Sequence, residues 1–115
     1  MWQLQRSPEE ELTRREKIMR LLEESDHFMT VDELAYILEI KGKERRIIYE
    51  DLIHIAKSVR AISQGRKMLI MQPPRCRKCG FVFTGFKKPS KPGRCPKCYS
   101  TWIEPPKFKI VEKKR

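Results

Sequence analysis

The chain has 115 residues, of which 39% are hydrophobic and 36% are charged, and its formal net charge is +11. A chain of this length forms one ordinary domain or two very small ones. It contains no apolar run near the roughly 20 residues that a membrane-spanning helix needs, so we expect no membrane partner. Residues 1–6 are not followed by the apolar segment of a secretory signal, and we expect a cytoplasmic protein in a reducing compartment.

The positive charge is concentrated in the second half of the chain. Residues 1–60 contain 11 Lys/Arg and 13 Asp/Glu, whereas residues 61–115 contain 15 Lys/Arg and only two acids. The halves therefore carry −2 and +13, which sum to +11. A thermophile surface would explain the abundance of charge, and the sequence lacks Asn. It would not explain the asymmetry, which favours a polyanionic partner such as nucleic acid.

Three amphipathic segments in the first half predict three helices. The first is predicted to begin at a capping box over residues 7–10 and to end near Glu24. Thr30 and Glu33 form a second capping box, which opens a helix over residues 31–38, and Gly42 marks the turn after it. The third helix is predicted over residues 43–60. Three helices with a tight turn between the last two indicate a helix-turn-helix unit.

Two predicted strands, residues 67–71 and 108–111, flank a segment bracketed by proline pairs at 73–74 and 105–106, where strands stop. A β-hairpin after the third helix is the wing of a winged helix. We therefore predict an α+β fold: a winged helix-turn-helix of three helices plus a β-hairpin wing, residues 1–72 and 107–115. A zinc ribbon with four cysteine ligands, residues 73–106, is inserted at the wing tip.

Four cysteines form two Cys-x-x-Cys pairs separated by 15 residues: Cys76, Cys79, Cys95 and Cys98. Each pair lets the chain curl so that both sulfurs face one ion, and two pairs complete a tetrahedral shell. We expect one structural Zn²⁺. Iron suits the same shell, and a rubredoxin-like electron carrier is the redox alternative. A closed shell leaves no position for an activated water, so catalysis at this metal is not expected.

The residues after each pair predict a small ribbon around the ion. Gly80 permits the positive φ that such a turn commonly needs. Residues 81–83 and 101–103 are predicted strands, with Trp102 and Phe81 or Phe83 covering the site. The aromatic residues interleave with cations, a pattern that suits either the ribbon's own core, which is the default, or the stacking of unpaired bases. These aromatic residues are Phe81, Phe83, Phe86, Tyr99 and Trp102.

Basic residues at the start of the third helix and in the second half are candidate contacts to nucleic acid, because the start of a recognition helix approaches the bases. Glu44, Glu50 and Asp51 would repel phosphate. Two interpretations of this helix therefore stay open: it reads bases in the major groove, or its charges simply face solvent. No catalytic constellation or phosphate-binding glycine loop is visible, and we expect no enzyme. The candidate set is Lys41, Lys43, Arg45, Arg46, Tyr49, Arg66, Lys67, Lys87, Lys88 and Lys91.

The chain resembles a family of small archaeal predicted transcriptional regulators in which a winged helix-turn-helix is fused to a rubredoxin-like zinc ribbon. The resemblance is carried by residues 13–18, the helical stretch through Leu52, residues 76–83 and residues 94–104. It implies one zinc at the four cysteines and a ribbon inserted into the wing. Two departures are Glu50, where many winged-helix regulators have a cation, and Tyr99, where rubredoxin-like motifs usually have Gly.

We therefore predict a zinc-containing DNA-binding protein that regulates transcription, with duplex DNA as its partner. One alternative is an adaptor that docks on RNA polymerase, because a winged helix joined to a zinc ribbon also resembles archaeal basal transcription factors. Another is an RNA- or ribosome-binding ribbon protein, which the same basic and aromatic residues would suit. Oligomeric state is not predicted.

Overall fold

The computed structural model describes residues 12–84 and 89–113. Within these residues, three helices and five strands follow one another, with a 3₁₀ turn at Gly42–Glu44. The helices are α1 (Arg14–Glu24), α2 (Val31–Leu38) and α3 (Arg45–Ile62). The strands are β1 (Met29–Thr30), β2 (Lys67–Gln72), β3 (Arg75–Cys76), β4 (Ile103–Glu104) and β5 (Lys107–Glu112). None of the helices in these ranges is long and apolar enough to cross a membrane.

Helix α1 begins at a capping box on Thr13. The Thr13 hydroxyl accepts a hydrogen bond from the Glu16 amide at 3.1 Å, and the Glu16 carboxylate accepts one from the Thr13 amide at 2.8 Å. This reciprocal pair satisfies two amides that a helix start leaves unpaired. The predicted start at residues 7–10 lies outside the described residues. A single helix from residue 7 to residue 24 is wrong, because Leu12 and Thr13 are not helical.

Helix α2 has the predicted capping box and the predicted bounds. The Glu33 amide donates to the Thr30 hydroxyl at 3.1 Å, and the Thr30 amide donates to the Glu33 carboxylate at 2.9 Å. The chain leaves α2 through Glu39, whose φ of 59° lies in the left-handed region. Gly42 belongs to the 3₁₀ turn, and therefore α3 begins at Arg45, two residues later than predicted.

Strand β5 is the central strand of an antiparallel sheet with the order β1–β5–β2. Phe108 on β5 lies opposite Met29 of β1 and Met71 of β2. Phe108 and Ile110 are buried, while their neighbours along β5 are more exposed, which is the alternation of a sheet with one face on a core. The two predicted strands are thus confirmed, each slightly longer than predicted.

The helices and the three-stranded sheet enclose one core, and the cysteine-rich segment has a second. The first core contains Ile18, Leu22, Met29, Val31, Leu34, Ala35, Ile48, Leu52, Ile55, Val59, Phe108 and Ile110. The second contains Cys76, Phe83, Cys95 and Ile103. Residues 73–106 leave the end of β2 and return to the start of β5. The winged-helix assignment and the domain boundaries stay predictions.

The strands of the ribbon differ from those predicted. Strand β3 pairs with β4, with Cys76 opposite Ile103. Residues 81–83 form no strand and contribute a single bridge between Val82 and Arg75. The paired strands are instead the two ends of the ribbon segment, and Pro74 and Pro106, close to them in the chain, are buried.

Candidate metal centre

The two Cys-x-x-Cys pairs adopt the same local conformation. In the first, the Gly80 amide donates to the Cys76 carbonyl at 2.9 Å, and the Cys76 amide donates to the Phe81 carbonyl at 2.8 Å. In the second, the equivalent bonds join Tyr99 to Cys95 and Cys95 to Ser100, both at 2.9 Å. Two turns of one geometry therefore present four sulfurs from opposite sides.

The four sulfurs lie within 4.8 Å of one another. The Cys76–Cys98 separation is 3.5 Å and the Cys79–Cys95 separation is 3.6 Å. Both are far longer than a disulfide bond of about 2.05 Å. They are near the separation of about 3.8 Å that sulfurs have in a tetrahedron with metal–sulfur bonds of about 2.3 Å. The donor set and its dimensions thus fit one tetrahedral Zn²⁺.

Backbone amides favour ionised sulfur at the first cysteine of each pair. The Cys79 amide, 3.5 Å from the Cys76 sulfur, is the main reason that the pKa of the Cys76 thiol falls to about 6. At Cys98 the Ser100 amide lowers the pKa, but burial and the three neighbouring thiols raise it to about 11. Four thiolates this close repel one another, and a divalent cation removes that repulsion.

The position after the second cysteine is left-handed in both turns. Gly80 has a φ of 83° and Tyr99 has a φ of 63°. Glycine adopts this conformation freely, whereas a residue with a Cβ is strained in it. The departure of Tyr99 from the usual glycine therefore leaves the backbone turn unchanged and places a tyrosine in a glycine conformation.

Trp102 does not cover the metal site as predicted. Its side chain is 61% exposed, whereas Phe83 is 7% exposed and packs with Phe81, their ring centroids 5.1 Å apart at 90°. The Trp102 carbonyl accepts a hydrogen bond from the Arg77 amide at 2.9 Å, which fixes its backbone beside the first turn. The two phenylalanines and Ile103 complete the core around the cysteines.

Some of the predicted nucleic-acid residues on and before α3 are exposed without a partner among the described residues, and others contact residues of the protein itself. Lys41, Lys43 and Arg46 are exposed and have no ion-pair partner within the described residues. Arg45 pairs with Asp32 of α2 at 3.0 Å. Tyr49 is half-buried, its ring edge-on to Phe108 at 6.5 Å, and burial raises its pKa to about 12. Its ring is therefore part of the packing between α3 and the sheet.

The predicted residues of the second half divide similarly. Lys67 binds Glu23 at 2.8 Å. Arg66 and Lys91 are exposed. Lys87 and Lys88 lie outside the described residues. Exposed cations of the two turns, which were not in the predicted set, lie on the same ribbon: Arg77, Lys78, Arg94 and Lys97.

Asp51 has a structural role that the sequence did not reveal. Its side chain is 1% exposed and accepts hydrogen bonds from Arg14 and Arg15 at the start of α1. The Arg15 Nε and Arg14 guanidinium contacts to Oδ1 are 2.9 and 3.0 Å. Burial would raise the pKa of Asp51, but these bonds hold it below its usual value. Asp51 is thus neutralised and does not oppose phosphate at the surface of α3.

Comparisons with known proteins identify the two parts of the chain. A family model described as PF0610-like, N-terminal, matches residues 13–69. A second, described as the PF0610 rubredoxin-like zinc beta-ribbon domain, matches residues 73–114. No curated protein matches. The solution NMR structure of protein PF0610 from Pyrococcus furiosus is 39% identical, with a TM-score of 0.71 over 98% of this chain and 99% of that one. The chain therefore belongs to the PF0610-like family, in which a helical N-terminal domain is joined to a rubredoxin-like zinc ribbon, here with one structural Zn²⁺ site formed by its four cysteines.

Proposed function

We propose that this protein binds duplex DNA and regulates transcription, as a winged helix-turn-helix whose wing carries the zinc ribbon. The observation that carries the proposal is the accessible positive charge of the ribbon. Residues 73–106 contain eight Lys/Arg and one acid. That acid, Glu104, is already bound by Arg75 at 3.3 Å and by Lys107 at 3.4 Å.

The remaining cations of the described ribbon are exposed and have no carboxylate partner there: Arg77, Lys78, Lys91, Arg94 and Lys97. A zinc tetrathiolate carries −2 and does not cancel them. Unpaired cations of one sign on a small surface favour a polyanion, and phosphate contacts supply most non-specific DNA affinity. The ribbon would thus supply the electrostatic part of binding.

The order of elements supports the winged-helix form of the proposal. Helices α1, α2 and α3 are followed by the antiparallel strands β2 and β5, and a short turn joins α2 to α3. In a helix-turn-helix protein the second helix of the motif enters the major groove with its N-terminal residues on the bases. Lys43 and Arg46 are free for this role, while Arg45 is held by Asp32 and Glu50 faces solvent. Helix α3 thus offers few side chains for base contacts, and the ribbon offers more exposed cations for phosphate contacts.

The test is binding of the zinc-loaded protein to random duplex DNA over a salt series. Affinity should fall steeply, with a log–log slope of about −0.9 for each phosphate neutralised. The variant Arg77→Ala/Lys97→Ala should make the slope shallower by about 2. The matched variant Lys43→Ala/Arg46→Ala removes two cations at the start of α3 and measures that helix separately. If the wild-type protein does not bind duplex DNA even at low salt, the proposal fails.

A protein-docking adaptor is the second candidate, because α2 exposes an apolar pair beside acids. Tyr36 and Ile37 are exposed on α2, and Asp32 and Glu33 lie one turn before them. This surface suits a protein partner better than the DNA backbone, since its exposed apolar side chains offer no charge to phosphate. Recovery of RNA polymerase on the immobilised protein without DNA, and its loss with Tyr36→Ala, would favour the adaptor.

A further inference from the structure

The described aromatic residues of the ribbon divide into a pair packed against the core and an exposed pair. Phe81 and Phe83 pack edge to face beside the cysteines. Tyr99 is 69% exposed and Trp102 is 61% exposed, and neither belongs to the ribbon core. Burial of such side chains is the main stabilising resource of a small unit. A ribbon of this size that leaves its tyrosine and its tryptophan in solvent gains little stability from either.

The backbone conformation of Tyr99 is a second sign that this residue does not stabilise the ribbon. Its φ of 63° matches the left-handed conformation of Gly80 in the equivalent turn. A non-glycine residue is strained in the left-handed conformation, and the exposed ring recovers little of that strain energy through burial. Backbone strain of this kind clusters at functional sites.

The backbone that carries both rings is fixed at several points. The Cys95 amide donates to the Ser100 carbonyl at 2.9 Å, and the Trp102 amide donates to the Ser100 hydroxyl at 3.0 Å. The Arg77 amide binds the Trp102 carbonyl across the ribbon. Residues three apart in a chain have Cα atoms at most about 10 Å apart. The backbone positions that carry the two rings are therefore close together on an ordered loop, which lowers the entropy lost when a ligand binds.

Three unpaired cations of the two cysteine turns precede this pair in the chain. Arg77 is bonded to the backbone of Trp102, and Lys78 follows it. Lys97 precedes Tyr99 by two residues in the second turn. All three are exposed without an ion-pair partner in the described part of the chain. Exposed aromatic rings beside free cations bind single-stranded nucleic acid, because the rings stack on unpaired bases while the cations neutralise phosphates.

We propose that Tyr99 and Trp102 form a stacking platform for unpaired DNA bases, with Arg77, Lys78 and Lys97 binding the adjoining phosphates. A duplex hides its base faces within the stack, so stacking on the two rings needs an unpaired strand, whereas the three cations would also serve the proposed duplex binding. Only the choice of DNA over RNA rests on the proposed function. A duplex that carries a single-stranded tail would add base stacking to the phosphate contacts and bind more tightly than the blunt duplex.

The experiment uses the full chain, zinc-loaded, with Trp2→Phe so that Trp102 is the one indole. Its fluorescence is followed during titration with an oligodeoxycytidine. We expect quenching by stacked bases and a loss of affinity of about tenfold in Tyr99→Gly, since one stacked base contributes about 1–3 kcal/mol. Tyr99→Phe should retain the affinity. Tyr36→Ala removes an exposed tyrosine from α2 and should leave the affinity unchanged.

Tyr99→Gly also removes the left-handed strain, so the variant should keep its zinc and unfold no earlier than the wild type. A loss of binding in a protein of undiminished stability then belongs to the ring. Unquenched Trp102 fluorescence, or equal affinity of wild type and Tyr99→Gly, would overturn the platform. Tighter binding of oligocytidine RNA than of the deoxy oligomer would overturn the choice of DNA. Failure to bind blunt duplex DNA, with the oligomer still bound, would sink the proposed function and leave the platform intact.

Discussion

At the scale of single residues, Asp51 joins the first helix to the third. Its buried carboxylate receives both arginines at the start of α1, while the arginine side chains themselves are about half exposed. Removing the carboxylate and removing the arginines should therefore have unequal effects on stability. Without Asp51 the arginines reach water, whereas without the arginines a carboxylate stays buried and unpaired.

We expect Asp51→Ala to lower the free energy of unfolding by about 2 kcal/mol through its lost charged hydrogen bonds. Arg14→Ala/Arg15→Ala should cost more, about 3–5 kcal/mol, because it leaves the buried charge uncompensated. Urea unfolding followed by circular dichroism measures both. Arg45→Ala, which breaks an exposed pair with Asp32, is the control and should cost less than about 1 kcal/mol. Equal losses in the two test variants would contradict this asymmetry.

The same carboxylate should make stability depend on pH. The pKa of Asp51 is lowered in the folded state, so its contribution is complete above the unfolded value of about 3.9 and is lost as pH falls through the folded pKa. We expect the stability difference between wild type and Asp51→Asn to be constant near neutral pH and to shrink below about pH 4. Urea midpoints measured at several pH values test this. A difference that stays constant down to about pH 2 would rule it out.

Matched substitutions at Gly80 and Tyr99 should change the stability of the ribbon in opposite directions. Nothing lies within 4 Å of a Cβ built on Gly80, so Gly80→Ala changes only the backbone preference at a φ of 83°. It should destabilise the ribbon by about 1 kcal/mol, and Tyr99→Gly should stabilise it by a similar amount. Competition with a chelator for zinc reports both changes. If Tyr99→Gly releases zinc more easily than the wild type, the ring contributes contacts that outweigh the strain.

At the scale of elements, sequence patterns located those parts of the fold that local interactions determine. The box of Thr30 and Glu33 and the periodic apolar residues of α3 act within a few residues, and both were recognised. Strands β3 and β4 pair residues nearly thirty positions apart, so no short pattern marks them. Asp51 was misread for the same reason, because its partners lie on α1. The cysteines were found because ligand spacing within each turn is itself local.

The capping box of α2 should contribute measurably to stability. Thr30→Ala removes the acceptor for the Glu33 amide and should cost about 1 kcal/mol. Chemical denaturation measures the loss. Thr101→Ala, at an exposed ribbon position, changes the same side chain without a cap and should be nearly neutral. A neutral Thr30→Ala would mean that tertiary packing alone fixes the start of α2.

At the scale of the whole molecule, the two cores share no residue. Each can therefore lose its order separately. We expect chelation of zinc to abolish the ribbon, which has too few buried residues to fold alone, while most helical circular dichroism persists. Fluorescence of Trp102 in the Trp2→Phe background reports the ribbon. Complete loss of helical signal together with the metal would show that the cores unfold as one unit.

The central position of β5 also fixes an order of events on the ribosome. Phe108 is buried between Met29 and Met71, yet it is translated after all four cysteines. The helices are synthesised first, and the sheet that packs on them lacks its central strand until the ribbon has been synthesised. A nascent chain can therefore capture its metal before its helical half has a complete core.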